Sequence, residues 1–93
     1  MSDVYKEYKV EKERYKELYP DALLAIQIGD GDTFRFFDGD AEKVAEVTKQ
    51  SVAYYATTRK KRQPYVEIAG KEIKAVFEKL IESGFIIVVL ERL

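Results

Sequence analysis

Residues 85–90 read Phe-Ile-Ile-Val-Val-Leu, six apolar side chains in a row. No run in the chain constrains the fold more. A strand alternates its side chains between two faces, so an unbroken apolar strand needs cover on both. The run follows the clearest helical pattern in the sequence. Ile73, Val76, Phe77, Leu80 and Ile81 fall at i, i+3, i+4, i+7 and i+8, one stripe of an amphipathic helix. Gly84 stands where a helix C-terminal glycine belongs. A helix feeding a doubly covered strand indicates a sheet with helices on both faces, and so wholly apolar a strand is expected at its centre.

Working outward, Ser2 or Asp3 is positioned to cap a first helix. Val4, Tyr8, Glu11, Tyr15 and Leu18 give its inner face, and Pro20 ends it. Residues 23–28 form a nearly continuous apolar strand. Asp30-Gly31 is a strong two-residue hairpin signal, and residues 33–37 return antiparallel. Asp40 caps a second helix whose inner face is Ala41, Val44, Ala45 and Val47. Residues 51–58, β-branched and aromatic, read as a third strand. Pro64 opens a fourth over residues 65–68, tolerated as a first residue. The order is α-β-β-α-β-β-α-β: an α/β (α+β) fold, a single mixed sheet with three helices in one domain of residues 1–93.

Composition removes whole classes of chemistry. With no Cys there is no thiolate nucleophile, disulfide or sulfur-held metal, and with no His the commonest general base and metal ligand is gone. Ser51 and Ser83 have no base near them in sequence, so a non-catalytic domain without cofactor is expected. Asp30, Asp32, Asp38 and Asp40 form two Asp-Gly-Asp triplets. Their spacing along a strand separates the pairs by about 20 Å at about 3.3 Å per residue. Phe34 also breaks the EF-hand pattern, so they read as a turn and a cap with no metal bound. No apolar run reaches the length of a membrane span, and the first residues show no signal-peptide core. The expectation is a cytoplasmic protein with no membrane partner.

The net charge is −1, so any attraction to nucleic acid must be local. The strongest candidate is Arg59-Lys60-Lys61-Arg62, four cations in one loop, able to neutralise phosphates of a DNA or RNA backbone. Tyr54, Tyr55 and Tyr65 lie close enough in sequence to stack on bases. The plainer reading of the run is a solvated loop that keeps sheet edges soluble. Phe34 and Phe36 are candidates for aromatic contact with bases, against a plainer role as strand residues packed in the core. The seven tyrosines read as helix-to-sheet packing with hydroxyls at the rim.

One family resemblance runs through nearly the whole chain. It is carried by Tyr19-Pro20-Asp21-Ala22-Leu23-Leu24-Ala25-Ile26-Gln27-Ile28-Gly29-Asp30, then Phe36-Phe37-Asp38-Gly39-Asp40-Ala41. Thr58-Arg59-Lys60, Pro64, Leu80-Ile81-Glu82-Ser83-Gly84 and Val88-Val89-Leu90-Glu91 follow in order. In this order the pieces resemble the N-terminal, mismatch-recognising domain of the MutS proteins. The resemblance implies a DNA-contacting domain in which a Phe-x-Glu motif directly after Gly-Asp wedges a Phe into the mismatched stack. Here Gly31, Asp32 and Thr33 occupy that place, and sliding to Phe34-Arg35-Phe36 restores an aromatic but no acid. The family's Met-Ala-Gly-x-Pro-Tyr-His segment is replaced by Tyr65-Val66-Glu67-Ile68-Ala69-Gly70-Lys71. No P-loop is present. The expectation is a relative that does not read mismatches and carries no ATPase. Lys/Glu-rich helix surfaces, the missing Cys and His and the tidy Asp-Gly turn also fit an engineered scaffold on this fold, or a thermophile's protein. A protein-interaction module is the remaining alternative.

Overall fold

In the computed structural model, residues 3–28, 33–56 and 62–91 are described. The elements run α1 (Asp3–Tyr15), β1 (Leu23–Ile28), β2 (Thr33–Phe37), α2 (Asp38–Thr48), β3 (Ala53–Ala56), β4 (Arg62–Ala69), α3 (Ile73–Glu82) and β5 (Ile87–Leu90). The strands make one mixed sheet in the order β3-β4-β2-β1-β5. Only β1 and β5 run parallel; the other neighbouring pairs are antiparallel.

The sheet is covered on both faces, as the apolar strands require. On one face α2 and α3 bury Leu23, Ala25, Phe36, Ala41, Val44, Val66, Ile68, Val76 and Leu80. On the other, α1 lays Tyr5 and Tyr8 over Leu24, Ile26 and Phe37. Alternation sorts β1 between the two cores, odd residues to one and even residues to the other.

The end of α3 shows why Gly84 is needed. Gly84 has φ +91, and its N–H bonds the Ile81 carbonyl at 2.9 Å while the Phe85 N–H bonds that of Leu80 at 3.0 Å. Those two bonds are a Schellman closure, which requires a residue in the left-handed region.

Four expectations are corrected. First, β5 is an edge strand, paired with β1 alone among the described residues. Its apolar run is half-buried, with Val89 40% exposed. Second, Val4 and Tyr8 lie on the inner face of α1 as expected, but Tyr5 and Lys12 join them, while Leu18 is 71% exposed and α1 ends at Tyr15, before Pro20 can end it. Third, Asp40 is not the cap of α2. The helix begins at Asp38, at φ 52, and Phe37 holds the cap position without a side-chain bond. Asp40 instead turns inward to donors on α1 and β1. Fourth, β4 is longer than expected and contains Pro64. That residue lies one step beyond the last β2 partner pair, Phe37↔Tyr65, so one side of it faces no strand and the missing N–H is tolerated. The expected Asp30-Gly31 turn and the Ser2 cap lie outside the described residues.

Candidate nucleic-acid interface

The basic run sits at a defined place in the topology. β3 and β4 are antiparallel with Ala56 opposite Arg62, and residues 57–61 connect them. Arg59, Lys60 and Lys61 lie outside the described residues; Arg62 opens β4. The same end of the sheet holds the end of β2, where Phe37 faces Tyr65, and the start of α2. Tyr54 pairs with Pro64 on β3 and is 57% exposed. Tyr65 is half-buried and already stacked: the Arg35 guanidinium lies 4.8 Å from its ring centre, and Phe37 lies 6.4 Å away. Arg35 in turn pairs with Glu67.

Phe34 and Phe36 do not join this site. Phe36 is fully buried beneath α2 and α3, and Phe34 meets the edge of Phe77 at 6.1 Å on the same face. The core reading of Phe36 is the one that agrees with its burial. A base would have to displace a helix to reach it.

Ile28 of β1 pairs with Thr33 of β2, and Thr33 with Ala69 of β4, at the opposite end of the sheet; residues 29–32, where the resemblance puts the mismatch wedge, lie outside the described residues. β4 runs the distance between the two ends. The rise from Arg62 to Ala69, at about 3.3 Å per step, puts them about 23 Å apart. Arg62 and Thr33 therefore stand at opposite ends of β4.

Beside the start of α2 lies a polar cluster that sequence reasoning missed. Asp40 is 4% exposed. Its carboxylate accepts from the Tyr8 hydroxyl at 3.1 Å, the Leu24 N–H at 3.1 Å and the Lys12 ammonium at 2.9 Å. Lys12 also donates to the Ala22 carbonyl. Next to it the Tyr5 hydroxyl donates to Asp38 at 3.0 Å. Burial, reinforced by the Asp38 carboxylate, pushes the Tyr5 hydroxyl up to about 12. Burial and the Asp40 charge push Tyr8 further in the same direction. These carboxylates are occupied by donors from α1 and β1, which makes the cluster a fastening between elements. The signal that would have found it is Lys12 itself, a cation four residues after Tyr8 on the inner stripe. A cation there demands a buried acid elsewhere.

A five-stranded mixed sheet between one helix and two, with a Phe-Phe-Asp-Gly-Asp junction into α2, is the geometry on which the comparisons bear. The family described as MutS domain I matches residues 6–93. This chain belongs to the MutS domain I family. The DNA mismatch repair protein MutS of Lactobacillus gasseri is 27% identical over 78 residues. That match takes in 84% of this chain but 9% of the relative, so the chain spans a small part of the curated protein it resembles. Within this MutS domain I, no group of three or more potential metal-holding side chains occurs among the described residues, and no described helix is long and apolar enough to cross a membrane.

Proposed function

We propose that this MutS domain I binds the phosphate backbone of DNA or RNA weakly and without sequence preference. Arg59, Lys60, Lys61 and Arg62 make the contacts, and the domain does not read mismatches. One observation carries the reading. Four consecutive cations, Arg59 to Arg62, run up to and into the first residue of β4, while Gly31-Asp32-Thr33 stands where the family has Phe-x-Glu. A backbone contact needs only accessible positive charge, and phosphate contacts position a protein without specifying sequence. A mismatch contact needs the aromatic wedge and its acid. Exposed Tyr54 beside the loop adds a surface on which an unpaired base can stack. The reading assigns no catalytic step to these residues and places them in the cytoplasm, in keeping with a chain free of Cys.

Fluorescence anisotropy on single- and double-stranded oligonucleotides tests it. Binding should weaken as salt rises, with a log–log slope no steeper than about −3.6 for up to four phosphate contacts on B-DNA. Absence of salt-sensitive binding at low ionic strength would overturn the reading. It would leave an engineered scaffold without activity of its own, or an interaction module, as the better account.

A further inference from the structure

The two edges of the sheet are built differently. After β3, which ends at Ala56, the sequence continues to the cations Arg59, Lys60, Lys61 and Arg62. The β5 edge is apolar along its whole length. From Phe85 to Leu90 it carries no charge and no Pro, and among the described residues no strand pairs with its outer side. Natural proteins usually blunt an open edge with Lys, Pro or a bulge.

The surroundings of that edge are apolar as well. Ile86 is 55% exposed, Val89 40% and Ile81 60%. Leu18 and Tyr19 line, with Phe85 and Ile86, a groove of about 440 Å³ beside the start of the strand. Leu18, Tyr19, Ile81, Ile86 and Val89 are five of the seven large apolar side chains left exposed among the described residues, a concentration unlike singly scattered surface residues.

The charges at the rim select the occupant. Thr48 and Gln50, at the end of α2, share a groove with Glu72, Ala75, Val76 and Lys79 of α3. The flank of α3 turned away from α2 therefore carries Lys74, Glu78 and Ile81. Two copies joined edge to edge about a two-fold axis bring two such flanks together antiparallel. Lys74 of one copy then approaches Glu78 of the other, twice, about an axis level with Val76, and Ile81 of each copy lies about one turn beyond the pairs. The patch is self-complementary in charge as well as apolar in character, which is what an isologous interface requires.

We propose that this chain self-associates through β5, pairing the strand antiparallel with β5 of a second copy to make one continuous sheet across the dimer. The dimer forms and dissociates with concentration.

Sedimentation or light scattering, from about 1 µM to about 1 mM in chain, should show the mass rising from 10.8 kDa toward twice that value. Val89→Lys should keep the mass at one chain at every concentration, with unchanged circular dichroism because Val89 is exposed in the monomer. Lys74→Glu should weaken association at least ten-fold, and Lys74→Glu combined with Glu78→Lys should restore it; a merely sticky surface would not show that rescue. Hydrogen exchange should slow at outward β5 amides on concentration. A wild-type chain that stays monomeric throughout, or a dimer indifferent to both Val89→Lys and the charge exchange, would overturn the proposal. The latter would place the contact on another surface or in a partner of different chemistry.

Discussion

Lys12 of α1 reaches both carboxylate oxygens of Asp40 of α2 at 2.9 Å, and through that contact fastens α1 to the opposite end of a chain segment 28 residues away. The acid is buried and the amine about one-third exposed. Tyr8 and the backbone N–H of Leu24 complete the carboxylate's shell. One side chain thus joins α1, β1 and α2, on the face of the sheet where α1 is the one helix among the described residues.

Removing that acid should be costly. Asp40→Ala leaves an ammonium, a hydroxyl and a backbone N–H facing inward without their acceptor, and should lower stability by about 3 kcal/mol. Asp40→Asn keeps an acceptor but loses the charge and should cost less. Chemical denaturation of the two variants beside wild type measures both. A loss under about 1 kcal/mol for Asp40→Ala would show that the cluster does not hold α1 in place.

Stability should fall in alkali, and the direction follows from Tyr5 and Tyr8. Their hydroxyls hold protons more tightly folded than unfolded, where tyrosine ionises near 10. The contribution is whole below about pH 10 and is lost as pH climbs through about 12 for Tyr5 and beyond that for Tyr8. Urea midpoints at pH 9, 10 and 11, with phenolate absorbance in parallel, should show a decline above pH 10 that Tyr8→Phe makes shallower. Equal decline in wild type and Tyr8→Phe would contradict the assignment.

Phe36 gives a test of core against contact. Phe36→Ala should cost about 3–5 kcal/mol, the range for emptying a packed aromatic site. Any loss of nucleic-acid affinity should vanish at temperatures where the variant is still folded. Affinity lost from a fully folded variant would return Phe36 to the binding surface despite its burial.

Much of this fold was legible in the chain. β1 and β2 have the bounds their apolar runs give, α3 has its five-residue stripe, and Gly84 closes it. Helices on both faces followed from strands too apolar for one-sided cover. What escaped the reading depends on partners remote in sequence. An apolar strand tells that its two faces are covered, not how many neighbours its edges have, so β5 was placed at the centre. Asp40 looked like a cap because local rules see only the next turn, whereas its donors are on Tyr8, Lys12 and Leu24. The stripe drawn through Val4, Tyr8, Glu11, Tyr15 and Leu18 passes over Lys12, because the acid that holds Lys12 inward is remote in sequence. The basic run was plain as a sequence feature, and the pairing of β3 with β4 adds its place at one end of the sheet.

Mismatch reading should be absent. A competition between homoduplex and a duplex with one G·T pair should show equal affinity. Ten-fold preference for the mismatch, about 1.4 kcal/mol, would mean that other residues have taken over the role of the missing Phe and Glu.

The central claim is that residues 59–62 carry the nucleic-acid contact, and replacing all four by Ser tests it most directly. Anisotropy titrations of wild type and the quadruple variant should be run at low and moderate salt, with circular dichroism and the thermal midpoint as controls. The account predicts that wild type binds with a salt slope between zero and about −3.6. The variant should keep its fold, since all four residues are charged and none belongs to an apolar run of the chain, and should lose binding. A folded quadruple variant that binds with wild-type affinity and slope would contradict it.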